Sequence, residues 1–155
     1  MDSDRLNRWI TLGANLGVLV GIVLLLIELD QNRDMMRAQT RHQLAMGLVE
    51  LQITTGTNQQ LVELLERADN GEELGGAERR QVWLRFNALV RYWENVHYQY
   101  RQGLYDEVEF AKQKEAWRET FEYGPAITAF WCNSRLFYSP EFMAELDSLL
   151  PTNSC

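Results

Sequence analysis

One pair of residues has metal-ligand spacing. Glu94-Asn95-Val96-His97 matches Glu-x-x-His, which sets a carboxylate and an imidazole on one face of a helix. A di-iron or di-manganese centre needs two such motifs and two more glutamates. The other histidine, His42, has Gln39 three residues before it. The ligand set therefore falls short, and the expectation is a solvated Glu94 and a partly buried His97. Nucleophilic catalysis would need an activating base beside a Ser or Cys. Cys132 follows Phe130-Trp131 and reads as a packed core thiol. Cys155 is the last residue and reads as mobile, so no disulfide framework is expected. The cysteine and histidine count does not support a zinc site. Gly75-Gly76 lacks the lysine and further glycines of a phosphate loop. No catalytic, metal or cofactor-binding residue is expected, and no enzyme.

Other residues point to association instead. Gly13, Gly17 and Gly21 recur every fourth position, giving two overlapping Gly-x-x-x-Gly units on one helical face. In lipid, helices gain little from burying apolar side chains on each other, so close backbone approach drives pairing, and a glycine groove permits it. Glu28, seven residues beyond Gly21, would converge with its copies in an oligomer packed on that face. Gln31, Asn32 and Arg33 complete a candidate polar cluster at the membrane edge. Arg33, Arg37 and Arg41 form a basic stripe at i, i+4 spacing, with Asp30–Arg33 and Asp34–Arg37 as local pairs. The stripe reads as a solvated, headgroup-contacting face; the sharper alternative is docking of the soluble domain onto it.

The element that must carry the glycines is plain. From Trp9 to Ile27 there is no charged residue. At ~1.5 Å per residue that stretch spans ~28 Å as a helix, close to the ~30 Å hydrocarbon core. Trp9 suits an interface, and Glu28 and Asp30 close the other edge. A cleaved signal peptide would need a small-residue site after the run, where Leu25-Leu26-Ile27-Glu28-Leu29-Asp30 stands. A core helix rarely runs so long without a charge. The organisation expected is a tail at 1–8, a transmembrane helix at 9–29 and a soluble α-helical domain at 30–155. A helical juxtamembrane extension reaches about Thr54, because neither glycine nor proline lies between Gly21 and Gly47 and good helix formers fill the gap.

Beyond it, further helices follow from apolar periodicity and breakers. One runs from about Asn58 to Ala68, and one from about Ala77 to Gln102. The second carries the stripe Val82, Phe86, Leu89, Val90, Trp93, Val96 and Tyr100. A capping-box-like Asp106…Glu109 opens the next, with Phe110, Trp117 and Phe121 inward. Gly124-Pro125 and Ser139-Pro140-Glu141 restart the chain, the latter with a serine cap. No run alternates at period two, so no strand is expected. The fold class is all-α, with one N-terminal transmembrane helix continuing into a soluble helical bundle. Trp83, Trp93, Trp117 and Trp131 read as packing residues, with an aromatic ligand pocket as the alternative.

The formal charge is −7; residues 1–42 hold five acidic and five basic side chains, so 17 acidic against 10 basic remain for 43–155. An acidic domain repels phosphate backbones, which argues against nucleic acid. Arg33, Arg37 and Arg41 follow the apolar helix and Arg5 and Arg8 precede it, alongside Asp2 and Asp4. By the positive-inside rule the soluble domain is expected in the cytoplasm, and the near-exclusive use of arginine, with only Lys112 and Lys114 as exceptions, suggests a GC-rich bacterial genome and hence an inner-membrane helix.

Several short segments together resemble a broad family of uncharacterised proteobacterial single-pass membrane proteins. They are Gln31-Asn32, Arg37-Ala38-Gln39-Thr40, Tyr100-Arg101-Gln102-Gly103, Gly124-Pro125, Trp131 and Ser139-Pro140-Glu141-Phe142. The family commonly has a small residue or threonine where Arg33 stands. The resemblance implies the same architecture and no mechanism. The expected function is that of a membrane-anchored, self-associating interaction or scaffold protein. Its partners would be membrane lipids, its own copies and another membrane protein. The alternatives are an oligomeric pore built from the glycine-rich helix, and a small-molecule or lipid sensor with an aromatic pocket. Thr11 and Asn15 begin a polar face for a pore, but Val18, Leu19 and Ile22 do not continue it.

Overall fold

The computed structural model describes residues 3–152, 154 and 155. Asp2, counted with the acidic tail, lies outside them. The described residues are helical without strands: α1 Ser3–Gly56, α2 Gln59–Asp69, α3 Gly76–Arg101, α4 Glu107–Tyr123, α5 Pro125–Ser134, a 3₁₀ turn Arg135–Phe137, and α6 Pro140–Asp147. Contacts divide the chain into two compact units, Met1–Gln39 and Thr40–Cys155.

The first unit holds most of α1. By length and composition this helix is apolar enough to cross a membrane, and none of its 18-residue apolar window is buried among the described residues. Large side chains such as Trp9, Leu16, Leu19 and Leu25 are exposed along it.

The second unit is a helical domain closed by the last turns of α1. Thr40 and Leu44 are buried there, and Leu48 and Leu51 are half-buried, as their spacing predicts. Three polar contacts accompany them. The Tyr92 hydroxyl donates to the Leu44 carbonyl at 3.1 Å, Arg85 Nη2 reaches the Leu51 carbonyl at 3.4 Å, and Arg41 pairs with Glu109 of α4 at 2.6 Å. Burial, with a smaller push from Tyr105, drives the Tyr92 phenol up to about 12. Tyr92 therefore stays a neutral donor.

Helix ends follow local chemistry. Asn58 caps α2 by accepting the Leu61 N–H at 3.1 Å, so α2 starts one residue later than periodicity suggests. Gly71 and Gly103 take φ of +71°, the left-handed geometry that favours glycine after a helix. Asp106 accepts from the N–H groups of Val108 and Glu109 at 2.8 and 3.1 Å and opens α4. At Gly124 a Cβ would stand 2.7 Å from the Thr120 carbonyl oxygen, so the α4–α5 corner can close only on glycine.

The core gathers the predicted stripe of α3 with Phe110, Trp117 and Phe121 of α4, Ile127, Phe130 and Trp131 of α5, and Phe142 and Leu146 of α6. Phe142 is fully buried and meets Trp117 and Trp131 edge-on at 6.1 and 5.8 Å between centroids. Trp93 stacks on Trp117 at 5.5 Å. Two expectations need correction here. Trp83 is not a core residue; one position off the buried stripe, it is 45% exposed. Cys132 is not a free core thiol, and Cys155 is not free either. The two form a disulfide across 23 positions, with Cα atoms 5.4 Å apart, which ties the C-terminus to α5. Spacing could not reveal this, because only the turn after α6 brings the last residue back to α5.

Candidate functional site

The glycine row lies on the open surface of α1. An added Cβ at Gly13, Gly17 or Gly21 would meet nothing within 4 Å. Four-residue spacing puts the three on one side of the helix. No part of the described chain fills that face, so it remains free for close approach by another helix. Glu28, Gln31, Asn32 and Arg33 are all exposed positions of α1. The Thr11 hydroxyl donates to the Asn7 carbonyl at 2.9 Å, which spends on the helix itself one of the two groups a pore would use.

The basic stripe divides. Arg37 pairs with Asp34 at 3.8 Å, an exposed contact of small energetic weight. Arg41 instead reaches across to Glu109 on α4. Arg41 lies in the helical unit itself, so this pair is a contact within that unit.

Glu94 and His97 occupy neighbouring turns of α3 but perform separate tasks. Glu94 is not solvated: its side chain is 20% exposed, and Oε1 accepts the Ser139 N–H at 2.8 Å. Arg91 Nη1 donates to Glu94 Oε2 at 2.6 Å, and Arg91 Nη2 donates to the Phe137 carbonyl at 3.0 Å. The Arg91 guanidinium also lies 4.3 Å from the Tyr138 ring centroid. Burial works to raise the Glu94 carboxyl; the bonds from Ser139 and the Arg91 guanidinium outweigh it and hold the group below its ordinary range. The expected serine cap of α6 is not made; the Glu94 carboxylate from α3 instead secures the N-cap residue's own N–H, as the glutamate of a capping box does. His97 is buried between the rings of Phe110 and Phe142, at 6.0 and 5.6 Å, and burial lowers its pKa. Among the described residues no three His, Cys, Asp or Glu side chains gather at metal-binding distance.

An open apolar groove of about 570 Å³ lies beside the turn between α2 and α3, and of the four tryptophans read as packing residues with a pocket as the alternative, Trp83 lines it. Trp83, Phe86, Phe130 and Phe137 line it with Leu74 and Val82, and Glu72, Glu73 and Arg79 stand among the lining residues. Trp83 meets Phe130 edge-on at 5.9 Å. The polar groups at its α5 side are engaged: Ser134 donates to the Phe130 carbonyl and Asn133 to the Ala129 carbonyl. The signal was available in the phase of α3, where Trp83 falls outside the inward stripe.

Comparison with protein-family models, with curated proteins and with solved structures finds no match to this chain.

Proposed function

We propose that this protein is a membrane-anchored, self-associating interaction protein. Its apolar helix crosses a bacterial inner membrane and contacts lipid, and copies pair through Gly13, Gly17 and Gly21. The supporting observation is the bare glycine face on an apolar helix, which no described residue covers. Lipid satisfies the apolar side chains, while the glycines leave room for another backbone. Replacing Gly17 with Leu should weaken association, whereas Leu19→Ile should not. Retention of the wild-type oligomeric state by both variants, in detergent and in lipid, refutes this interface.

The cytoplasmic orientation expected from the arginines rests on a margin of one side chain. The Cys132–Cys155 disulfide supports the opposite side, because such bonds persist in the periplasm and are kept reduced in the cytosol. We therefore propose that the helical domain lies outside the inner membrane.

A second reading has its own observation. The aromatic groove has a volume typical of small-molecule sites, about 300–1,000 Å³, and exposed Trp83 and Phe137 in its wall. An apolar ligand retained there would appear in native mass spectrometry of gently extracted protein, and Trp83→Ala would release it.

A further inference from the structure

The last turns of α1 have a second face that the helical domain does not use. Thr40, Leu44, Leu48 and Leu51 point into the domain. On the other side His42, Met46, Val49 and Ile53 are exposed, with Met46 at 53% and Ile53 at 58%. Their spacing is four, three and four, the alternation of a heptad seam. A surface depression of about 590 Å³ is lined by α1 residues alone, from His42 to Thr54. Met46, Val49, Glu50 and Ile53 stand at i, i+3, i+4 and i+7, the four corners of a hole that receives one knob from a facing helix.

Charge follows the same pattern. Between Gln31 and Ile53 the sequence has five charged residues, Arg33, Asp34, Arg37, Arg41 and Glu50. With Met46 and Ile53 numbered a, and His42 and Val49 numbered d, the first four fall at b, c or f. Glu50 alone falls at a flanking e position.

We propose that the exposed face of α1 from His42 to Ile53 is a short coiled-coil seam occupied by the same face of a second copy of this chain. The area selects the occupant. Eleven steps of ~1.5 Å give ~17 Å of seam, too little to reach the ~800 Å² per partner of a stable soluble complex. Its occupant must arrive by another attachment. A second copy does, because its α1 enters the bilayer in the same direction and brings identical residues to the same height. The tether raises the effective concentration enough for a weak seam to close. This inference rests on the self-association proposed above.

Full-length single-cysteine additions in native membranes test it under mild oxidation. Met46→Cys and Ile53→Cys should yield the disulfide-linked dimer at least ~10-fold faster than Arg37→Cys and Arg41→Cys, which lie off the seam. Val49→Lys should weaken the dimer without changing the thermal unfolding of the domain, since Val49 is exposed. Equal cross-linking at all four positions in a protein that still self-associates overturns the seam and leaves the membrane-helix interface standing. A wild-type protein that is monomeric in lipid defeats both. An Ile53→Cys adduct whose mass is not twice that of the chain assigns the face to another protein and also overturns the proposal.

Discussion

Replacing Glu94 with alanine should destabilise the helical domain by about 2 kcal/mol at neutral pH. The wild-type carboxylate accepts the Ser139 N–H at 2.8 Å from a side chain only 20% exposed. A hydrogen bond to such a charged group contributes ~1.5–3 kcal/mol. The arm to Arg91 adds little, because that guanidinium is 47% exposed and solvent screens the pair. At a few degrees per kcal/mol for a domain of this size, the midpoint should fall by ~5–10 °C. Glu94→Gln keeps an acceptor for Ser139 and should lose about half as much. The pH dependence has a definite sign. The folded-state pKa of Glu94 lies below its ordinary 4.5. Its contribution is present above that value and disappears as pH falls through the folded-state value. Full-length protein in detergent, unfolded by heat and followed by near-ultraviolet circular dichroism, should show a gap between wild type and Glu94→Gln at pH 7 that narrows at pH 3. Unfolding of Glu94→Ala within ~0.5 kcal/mol of wild type would remove Glu94 as the capping-box partner of Ser139. A large midpoint rise on adding iron or manganese that both Glu94→Gln and His97→Ala abolish would turn the pair back into a metal site.

Other outcomes follow from the same packing. Phe142→Ala removes a fully buried ring from among Trp117, Trp131 and His97 and should cost ~3–5 kcal/mol in the same melt. Reduction of Cys132–Cys155 releases a loop closed across 23 positions and should lower stability by about 3 kcal/mol, with two thiols appearing in a titration that finds none before reduction. Arg85 holds two buried nitrogens, Nε and Nη1, without hydrogen-bond partners, and burial lowers its pKa. Arg85→Met should therefore be neutral or stabilising by ~1 kcal/mol, and a loss above ~2 kcal/mol would show that the guanidinium holds α1 in place. In intact spheroplasts treated with an impermeant reductant, an impermeant maleimide should label Cys132 and Cys155; labelling only after permeabilisation would return the domain to the cytoplasm.

The sequence alone determines the features that depend on neighbours within a few turns. An uncharged run from Trp9 to Ile27 can be accommodated only by lipid or by a protein layer, and its helical length is arithmetic. The inward stripe of α3 and the breaks at Gly103 and Gly124-Pro125 are equally local, because periodicity and backbone freedom act over a few residues. What tertiary structure alone decides involves partners far apart along the chain. Glu94 resembles half of a metal motif until the return of Ser139, 45 residues later, converts it into a capping-box acceptor. Cys132 is an isolated thiol by spacing, and becomes half of a disulfide only because the turn after α6 leads Cys155 back to α5. Trp83 falls off the inward stripe by phase alone, but only the packing of α3 against α5 sets it beside Phe130 and Phe137 in the wall of a groove. Side-chain type and spacing specify which groups can form a contact; the fold determines which distant groups come within the 3–4 Å at which hydrogen bonds and close packing act.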